Sequence, residues 1–399
     1  MQLTKTSIRI AAAGLLVIVA TAPWAAGCGS KAVASRSPGP AAAAAAAPVV
    51  PAPSAPARSH SNSRDATRAR DALGAFDRAF YVASGRQAHH ANSTSGGRAD
   101  FWRQAEIIEM EEDAYQRTGD PAVKQRIIAL LRGVVSLNGR KWTKRAWNDD
   151  IMWMVIASLR AYELTGDTAY RAMAQSNFDA TYARSWSKDF GGGLWWTTAR
   201  TQKNVTTNAP AAIAACKLAT ALRDPSYLTK AKSLFGWVRA TLYDAGSGAV
   251  WDSISAAQSG AGVVVNRAGL TYNQGTFIGA ADLLHQATRQ QAYAQDALRT
   301  LGYTRANMTT NGILQSESGG NDNFGGFKGI FCRWAVAFAR DDRVSSFDAW
   351  FRQNAEAAWR HRNAGGLMGQ DWASQTGTGV LDAWGCSSAV VLLLAASGT

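Results

Sequence analysis

Apolar residues recur at intervals of three and four along most of the chain. Leu73, Phe76 and Phe80 share one helical face, and Phe101, Ala105, Ile108 and Tyr115 share another, behind what reads as an acidic outer face. Ile151, Val155, Leu159 and Tyr162 repeat the spacing. Strand-like alternation is scarce apart from a short piece around Val263-Val264-Val265. The pattern predicts an all-α domain.

A degenerate repeat punctuates these helices: Thr118-Gly119-Asp120-Pro121, Thr165-Gly166-Asp167-Thr168 and Leu222-Arg223-Asp224-Pro225, with weaker copies at Thr288 to Tyr293 and Arg340-Asp341. Each reads as a helix stop followed by a helix start. Gly takes the left-handed position after one helix, Asp caps the next, and Pro suits its first turn. Asp120 and Asp167 stand 47 residues apart, and Asp167 and Asp224 stand 57 apart, about one helical hairpin each. About six hairpins therefore fit beyond residue 65. An open solenoid and a closed ring share this signature. The Gly- and Trp-rich inserts between hairpins favour a ring with functional loops at one end.

The first 64 residues follow a different pattern. Lys5 and Arg9 precede an apolar stretch from Ile10 to Ala22, too short to span a membrane comfortably. It ends at Ala25-Ala26-Gly27-Cys28, which resembles a bacterial lipobox with Cys28 as the lipidated residue. Residues 1–27 are thus expected to be a signal peptide. Residues 28–64 are expected to be a lipid anchor followed by an Ala/Pro/Ser-rich disordered tether, and 65–399 the folded domain. The protein would then sit outside the cytoplasm, held at the cell surface, or be secreted outright if the leader is cut by ordinary cleavage nearby.

Charge changes the picture little. Six basic residues and no acidic one precede Asp65, which leaves +7 of the net +13 on the remainder. With no Lys/Arg run, a nucleic-acid footprint is not indicated. The five histidines (His60, His89, His90, His285, His361) form no metalloprotease pattern, and His89-His90 reads as part of a polar, loose loop. With Cys28 used for lipidation, Cys216, Cys332 and Cys386 allow one disulfide at most. No Gly-x-Ser-x-Gly elbow, phosphate-binding loop or dinucleotide fingerprint occurs.

The candidate chemistry lies at Trp147-Asn148-Asp149-Asp150, directly ahead of the apolar helix. A helix cap accounts for one polar residue there. Three in sequence, flanked by Trp147 and Trp153, weaken that reading and leave glycoside cleavage open beside it. That reaction needs one carboxyl to protonate the departing oxygen and a second, ionised, to attack or to activate water. Adjacent aspartates diverge around a helix start, and their repulsion raises one pKa, the split those roles require. The spacing alone chooses neither retention nor inversion. Asn204 and Asn208, one turn apart, and Tyr272-Asn273-Gln274-Gly275 offer amides and a hydroxyl suited to sugars. Gly319-Gly320-Asn321-Asp322-Asn323 only faintly resembles a calcium loop, lacking the ligand order and the closing Glu.

Taken in order, these motifs resemble glycoside hydrolase family 76, the α-1,6-mannanases. They are Trp147 to Asp150 with Leu159-Arg160-Ala161-Tyr162-Glu163-Leu164-Thr165-Gly166-Asp167 behind them, Gly192-Gly193-Leu194-Trp195-Trp196, Lys203-Asn204 with Asn208, Tyr272 to Gly275, and Phe327-Lys328-Gly329-Ile330-Phe331 with Arg333-Trp334. The resemblance covers about residues 70–395 and implies an (α/α)6 toroid with its cleft at one end. It also implies retaining hydrolysis of internal α-1,6-mannosidic bonds, with Asp149 as nucleophile and Asp150 as general acid/base. Trp195, Trp196, Asn204, Asn208, Tyr272 and Gln274 would be subsite residues, Asp252 a further polar contact, and Trp147, Asn273 and Lys328 additional substrate-binding positions. No metal or cofactor is implied. The expected partner is α-mannan, and a monomer is expected. Transfer of the glycosyl group to another sugar, and glycan binding without turnover, are the competing expectations.

Overall fold

A computed structural model describes residues 63–258, 262–317 and 324–397. The expected signal peptide, Cys28 and the tether through residue 62 lie outside the described residues, as does 319–323 with its Asn-Asp-Asn group. Twelve α-helices carry the described fold: α1 (Ser63–Phe80), α2 (Phe101–Thr118), α3 (Pro121–Asn138), α4 (Asn148–Thr165), α5 (Thr168–Ser185), α6 (Val205–Leu222), α7 (Pro225–Thr241), α8 (Thr271–Thr288), α9 (Gln291–Asn307), α10 (Phe327–Asp341), α11 (Asp348–Arg360) and α12 (Ala383–Ala396).

The even-numbered helices form an inner ring. Each packs on the next, and α12 closes onto α2. Their sequences explain the placement, because residues of α4, α6, α8 and α12 are buried on nearly every side. The odd-numbered helices are amphipathic and cover the ring from outside. Five hairpins are consecutive in sequence. The sixth is made by the two ends of the domain, α12 with α1. The fold is the expected (α/α)6 toroid. Backbones meet directly at some crossings: a Cβ on Gly275 of α8 would lie 2.4 Å from Phe331 Cα of α10.

The repeat does what its residue types predict. Gly119 and Gly166 end α2 and α4 in the left-handed region, and the carboxylates of Asp120, Asp167 and Asp224 accept from Ala122 N (2.8 Å), Ala169 N (2.9 Å) and Ser226 N (2.9 Å). Where Gly is missing, Arg223 and Arg289 take the left-handed φ themselves, at 55° and 61°. Connections from inner to outer helices are thus two residues long in four of five cases. Connections from outer to inner helices are long, and all emerge at the N-terminal ends of the inner helices. Among them are three small antiparallel sheets: β1 (Tyr81–Ser84) with β2 (Gln87–His90), β3 (Gln202–Asn204) with β4 (Ser253–Ala256) and β5 (Val263–Asn266), and β6 (Thr309–Thr310) with β7 (Ile313–Leu314). The expected Val263–Val265 strand is β5. The expected loose loop at His89-His90 is instead β2, with His90 fully buried. Cys216, Cys332 and Cys386 are free and buried.

The acidic face of α2 points inward, not outward as expected. Glu106, Glu109 and Glu112 are buried along the ring's interior, with Asp113 beside them. Arg160 of α4 meets Glu109 (3.0 Å) and Asp113 (2.5 Å), and Arg333 of α10 meets Glu106 (2.7 Å) and Asp113 (2.8 Å). Four acids face two cations, so burial, with repulsion from Glu109, pushes Glu106 up to about 8. Burial likewise holds Glu112 well above its ordinary range. Asp113 stays low despite burial because both arginines reach it. Burial also raises Asp282 and Glu317 to about 7 each. A carboxyl whose folded value exceeds its unfolded one of about 4.5 stabilises most below that pH, and the contribution is lost as pH rises through the folded value. Thermal melts followed by circular dichroism should therefore show the midpoint falling between pH 5 and pH 8.

Candidate active site

The inner-helix N-termini converge on a cavity of about 980 Å³. Its lining takes Phe101 and Trp102 from α2, Asp149, Asp150 and Trp153 from α4, Asn204 and Thr206 around the start of α6, Leu270 and Tyr272 at α8, and Phe327 and Ile330 from α10. Positive helix ends thus face the same space from several sides, which favours negative charge there.

Helix α4 begins at Asn148, and its cap residue, Trp147, makes no side-chain cap bond. Asp149 and Asp150 are therefore first-turn residues on the cleft wall rather than caps. Asn148 fixes their surroundings. Its backbone N–H donates to Trp196 O (2.8 Å), its Nδ2 donates to Trp195 O (2.8 Å), and its Oδ1 accepts from Arg184 Nε (2.8 Å). That pinning brings the Trp196 indole to Asp149, where Nε1 donates to Oδ2 at 2.8 Å; the Asp150 N–H donates to Oδ1 at 3.0 Å. Both oxygens of Asp149 accept from N–H donors, which favours its ionised form but offsets only part of the rise that burial and Asp150 impose on it.

Asp150 has a different neighbour. The Arg145 guanidinium stacks 3.7 Å from the Phe101 ring centre, donates to Asn138 Oδ1 (2.7 Å), and lies 3.6 Å from Asp150 Oδ2. Burial raises both carboxyls. Repulsion from Asp150 adds to the rise at Asp149, while Arg145 pulls Asp150 back down. Two neighbouring, largely desolvated carboxyls that repel each other resist ionising together, so the pair keeps one proton near neutral pH.

The remaining wall is polar and aromatic. Asp252 Oδ1 accepts from Tyr272 OH and Asn273 Nδ2, both at 3.2 Å, and its Oδ2 accepts from Ser253 Oγ (2.9 Å) and Asn266 Nδ2 (3.0 Å). Trp102 meets Trp384 edge to face at 5.1 Å, and Phe327 packs 4.2 Å from Tyr272. Trp147 stands half exposed at the rim.

Several expected contacts lie beneath the cleft instead of on its wall. Asn208 and Gln274 are fully buried, and each grips one loop residue through both amide atoms. Asn208 accepts from Leu194 N (2.7 Å) and donates to Leu194 O (3.0 Å); Gln274 accepts from Val250 N (3.0 Å) and donates to Val250 O (2.7 Å). Gln104 holds His90 in the same way (3.1 and 2.7 Å). Each stands fourth in an inner helix, so a polar first turn that reads as a sugar contact is here the fixture that shapes a loop. Asn273 reaches only Asp252. Trp195 is buried against Phe190, with Lys203 Nζ 4.7 Å from its ring centre. Lys328 is buried against Trp372, donates to Leu314 O at 3.4 Å, and is lowered by burial to about 8. Asp149, Asp150, Trp147, Trp196, Asn204, Asp252 and Tyr272 do share the cleft. Sequence reasoning missed Arg145, Phe101, Trp102 and Asn266, which no local pattern connects to the aspartates.

Arg145 permits a test of which aspartate holds the proton. A cation favours the ionised carboxylate, so Arg145→Met should raise the pKa of Asp150. If Asp150 is the acid, the alkaline limb of kcat/KM moves up by about one pH unit. A shift of the acidic limb instead would make Asp150 the nucleophile.

Comparison with known proteins places the chain. The family model described as glycosyl hydrolase family 76 matches residues 65–394. The Salegentibacter sp. HEL1_6 alpha-1,6-mannanase GH76A is 32% identical, with a TM-score of 0.77 over 83% of this chain and 98% of that one. An inactive variant of that enzyme, altered at two adjacent aspartates, was solved with alpha-1,6-mannotriose and matches at 31% identity and TM-score 0.77 over 84% and 99%. The Saccharomyces cerevisiae mannan endo-1,6-alpha-mannosidase DFG5 is 25% identical over 346 residues, covering 79% of this chain and 70% of the yeast protein. With its family model spanning nearly the whole helical domain, the chain belongs to glycosyl hydrolase family 76.

Proposed function

We propose that this glycosidase is a retaining endo-α-1,6-mannanase, with Asp149 as nucleophile and Asp150 as general acid/base. The observation that carries the reading is the adjacent pair itself in a single aromatic-walled cleft: Asp149 accepts two N–H bonds, and burial holds Asp150 above the ordinary carboxylate range in spite of Arg145. Asp149 would attack the anomeric carbon while Asp150 protonates the departing oxygen. Asp150, then ionised, would take a proton from the water that releases the sugar. The cavity is at the upper end of the size range of small-molecule sites, which suits more than one sugar ring. Trp147 and Trp196 would stack on pyranose faces, and Asn204, Asp252 and Tyr272 would bind hydroxyls. Support for the linkage comes from the alpha-1,6-mannotriose bound by the inactive Salegentibacter variant.

The same proposal puts the enzyme outside the cytoplasm, held by a lipid on Cys28. Mass spectrometry of the mature N-terminus checks this: a diacylated Cys28 is expected, and an unmodified N-terminus would refute anchoring. Digestion of linear α-1,6-mannan tests the activity. Internal cleavage gives a ladder of intermediate oligosaccharides early in the reaction. Release of mannose alone would contradict endo action, and products longer than an added acceptor mannoside would show transfer.

A further inference from the structure

Away from the cleft, a second group of titratable residues joins three elements. Asp77 of α1, His90 of β2 and Glu111 of α2 each present one donor atom within 4.8 Å of the others, the one group of its kind among the described residues. His90 and Glu111 are fully buried. Asp77 Oδ1, Glu111 Oε1 and both His90 ring nitrogens are buried without a hydrogen-bond partner. Buried polar atoms without partners are rare; the two carboxyl oxygens can share a proton, but nothing answers the His90 ring, so the group calls for an occupant.

The surroundings hold these atoms in place. Arg126 of α3 takes the far oxygens of both acids, Asp77 Oδ2 at 3.1 Å and Glu111 Oε2 at 3.2 Å. That leaves Oδ1 and Oε1 turned toward the imidazole, whose Nε2 lies 3.9 Å from Glu111 Oε1. Gln104 fixes the His90 backbone through both its N–H and its carbonyl. Arg126 thus orients the two carboxylates as outer-shell partners of metal ligands do, while His90 is positioned through its backbone alone. Two carboxylates facing each other also need a cation or a shared proton between them.

We propose that Asp77, His90 and Glu111 bind one divalent transition-metal ion of the zinc or manganese class. One imidazole nitrogen beside two carboxylate oxygens matches that class, whereas calcium and magnesium are held by oxygen donors alone. Donors around a tetrahedral ion with bonds of about 2.1 Å lie roughly 3.4 Å apart, so contraction by about 1 Å closes the group. The ion would staple α1, half of the sixth hairpin, to the inner ring. Because Ala88 and His89 line the cleft just ahead of His90, it would also steady one cleft wall.

The test uses the full chain, unfolded in chelator and refolded with zinc, manganese, magnesium or calcium added singly, then gel-filtered. Native mass spectrometry should find about one zinc or manganese per chain and a raised melting temperature. His90→Gln and Glu111→Gln should lose the ion, whereas Asp149→Asn should keep it. Wild-type protein that retains no zinc or manganese would overturn the proposal in favour of a shared proton, even if the variants fail to fold. Retention of calcium or magnesium alone, or undiminished metal in His90→Gln, would overturn it equally.

Discussion

Asp149→Asn and Asp150→Asn should each lower kcat on α-1,6-mannan by about 10³-fold or more while the fold survives. Loss of an acid/base group costs 10²–10⁴-fold, and loss of a nucleophile costs at least as much. Stability should move the other way. Each substitution removes one of two partly buried, mutually repelling carboxyls, so the melting temperature should hold or rise. Asp149→Asn also keeps an oxygen to accept from Trp196 Nε1. A pair serving only the helix terminus would give the opposite pattern: a lower melting temperature and intact turnover. Calorimetry and initial rates on the same two proteins separate the readings.

The second large effect is on stability. Arg333→Met should destabilise the fold by about 3–5 kcal/mol, because it takes a buried guanidinium from ionised Asp113 and removes the donor that Glu106 accepts from. The apparent melting temperature should then fall by about 10 °C. Arg333→Lys should recover only part of the loss, since an ammonium cannot form the guanidinium's two-sided fork. A change under about 1 kcal/mol in Arg333→Met would mean that protons alone neutralise the acids of α2.

The sequence is most legible where one residue type answers one local demand. Gly119, Asp120 and Pro121 stop and restart a helix for reasons contained within four residues, and the recurrence of that motif is enough to count the hairpins. The Asp149–Asp150 pair is legible because two acids in sequence exceed what a helix start needs. Legibility ends where distant segments decide a residue's role. The acids of α2 look like a solvated stripe until Arg160 and Arg333 arrive from across the ring. Asn208 and Gln274 offer the amides that a sugar would use, yet the backbones of Leu194 and Val250 occupy them. Arg145 is five residues from Asp150, but only the turn of its loop over Phe101 aims it there.

The central claim is that Asp149 and Asp150 cleave α-1,6-mannosidic bonds by double displacement. Proton NMR during the first turnovers on linear α-1,6-mannan measures this directly, because it resolves the anomer released before mutarotation. The account predicts that the new reducing ends appear first as the α-anomer and equilibrate later; initial β-anomer, or no cleavage by folded enzyme, would contradict it.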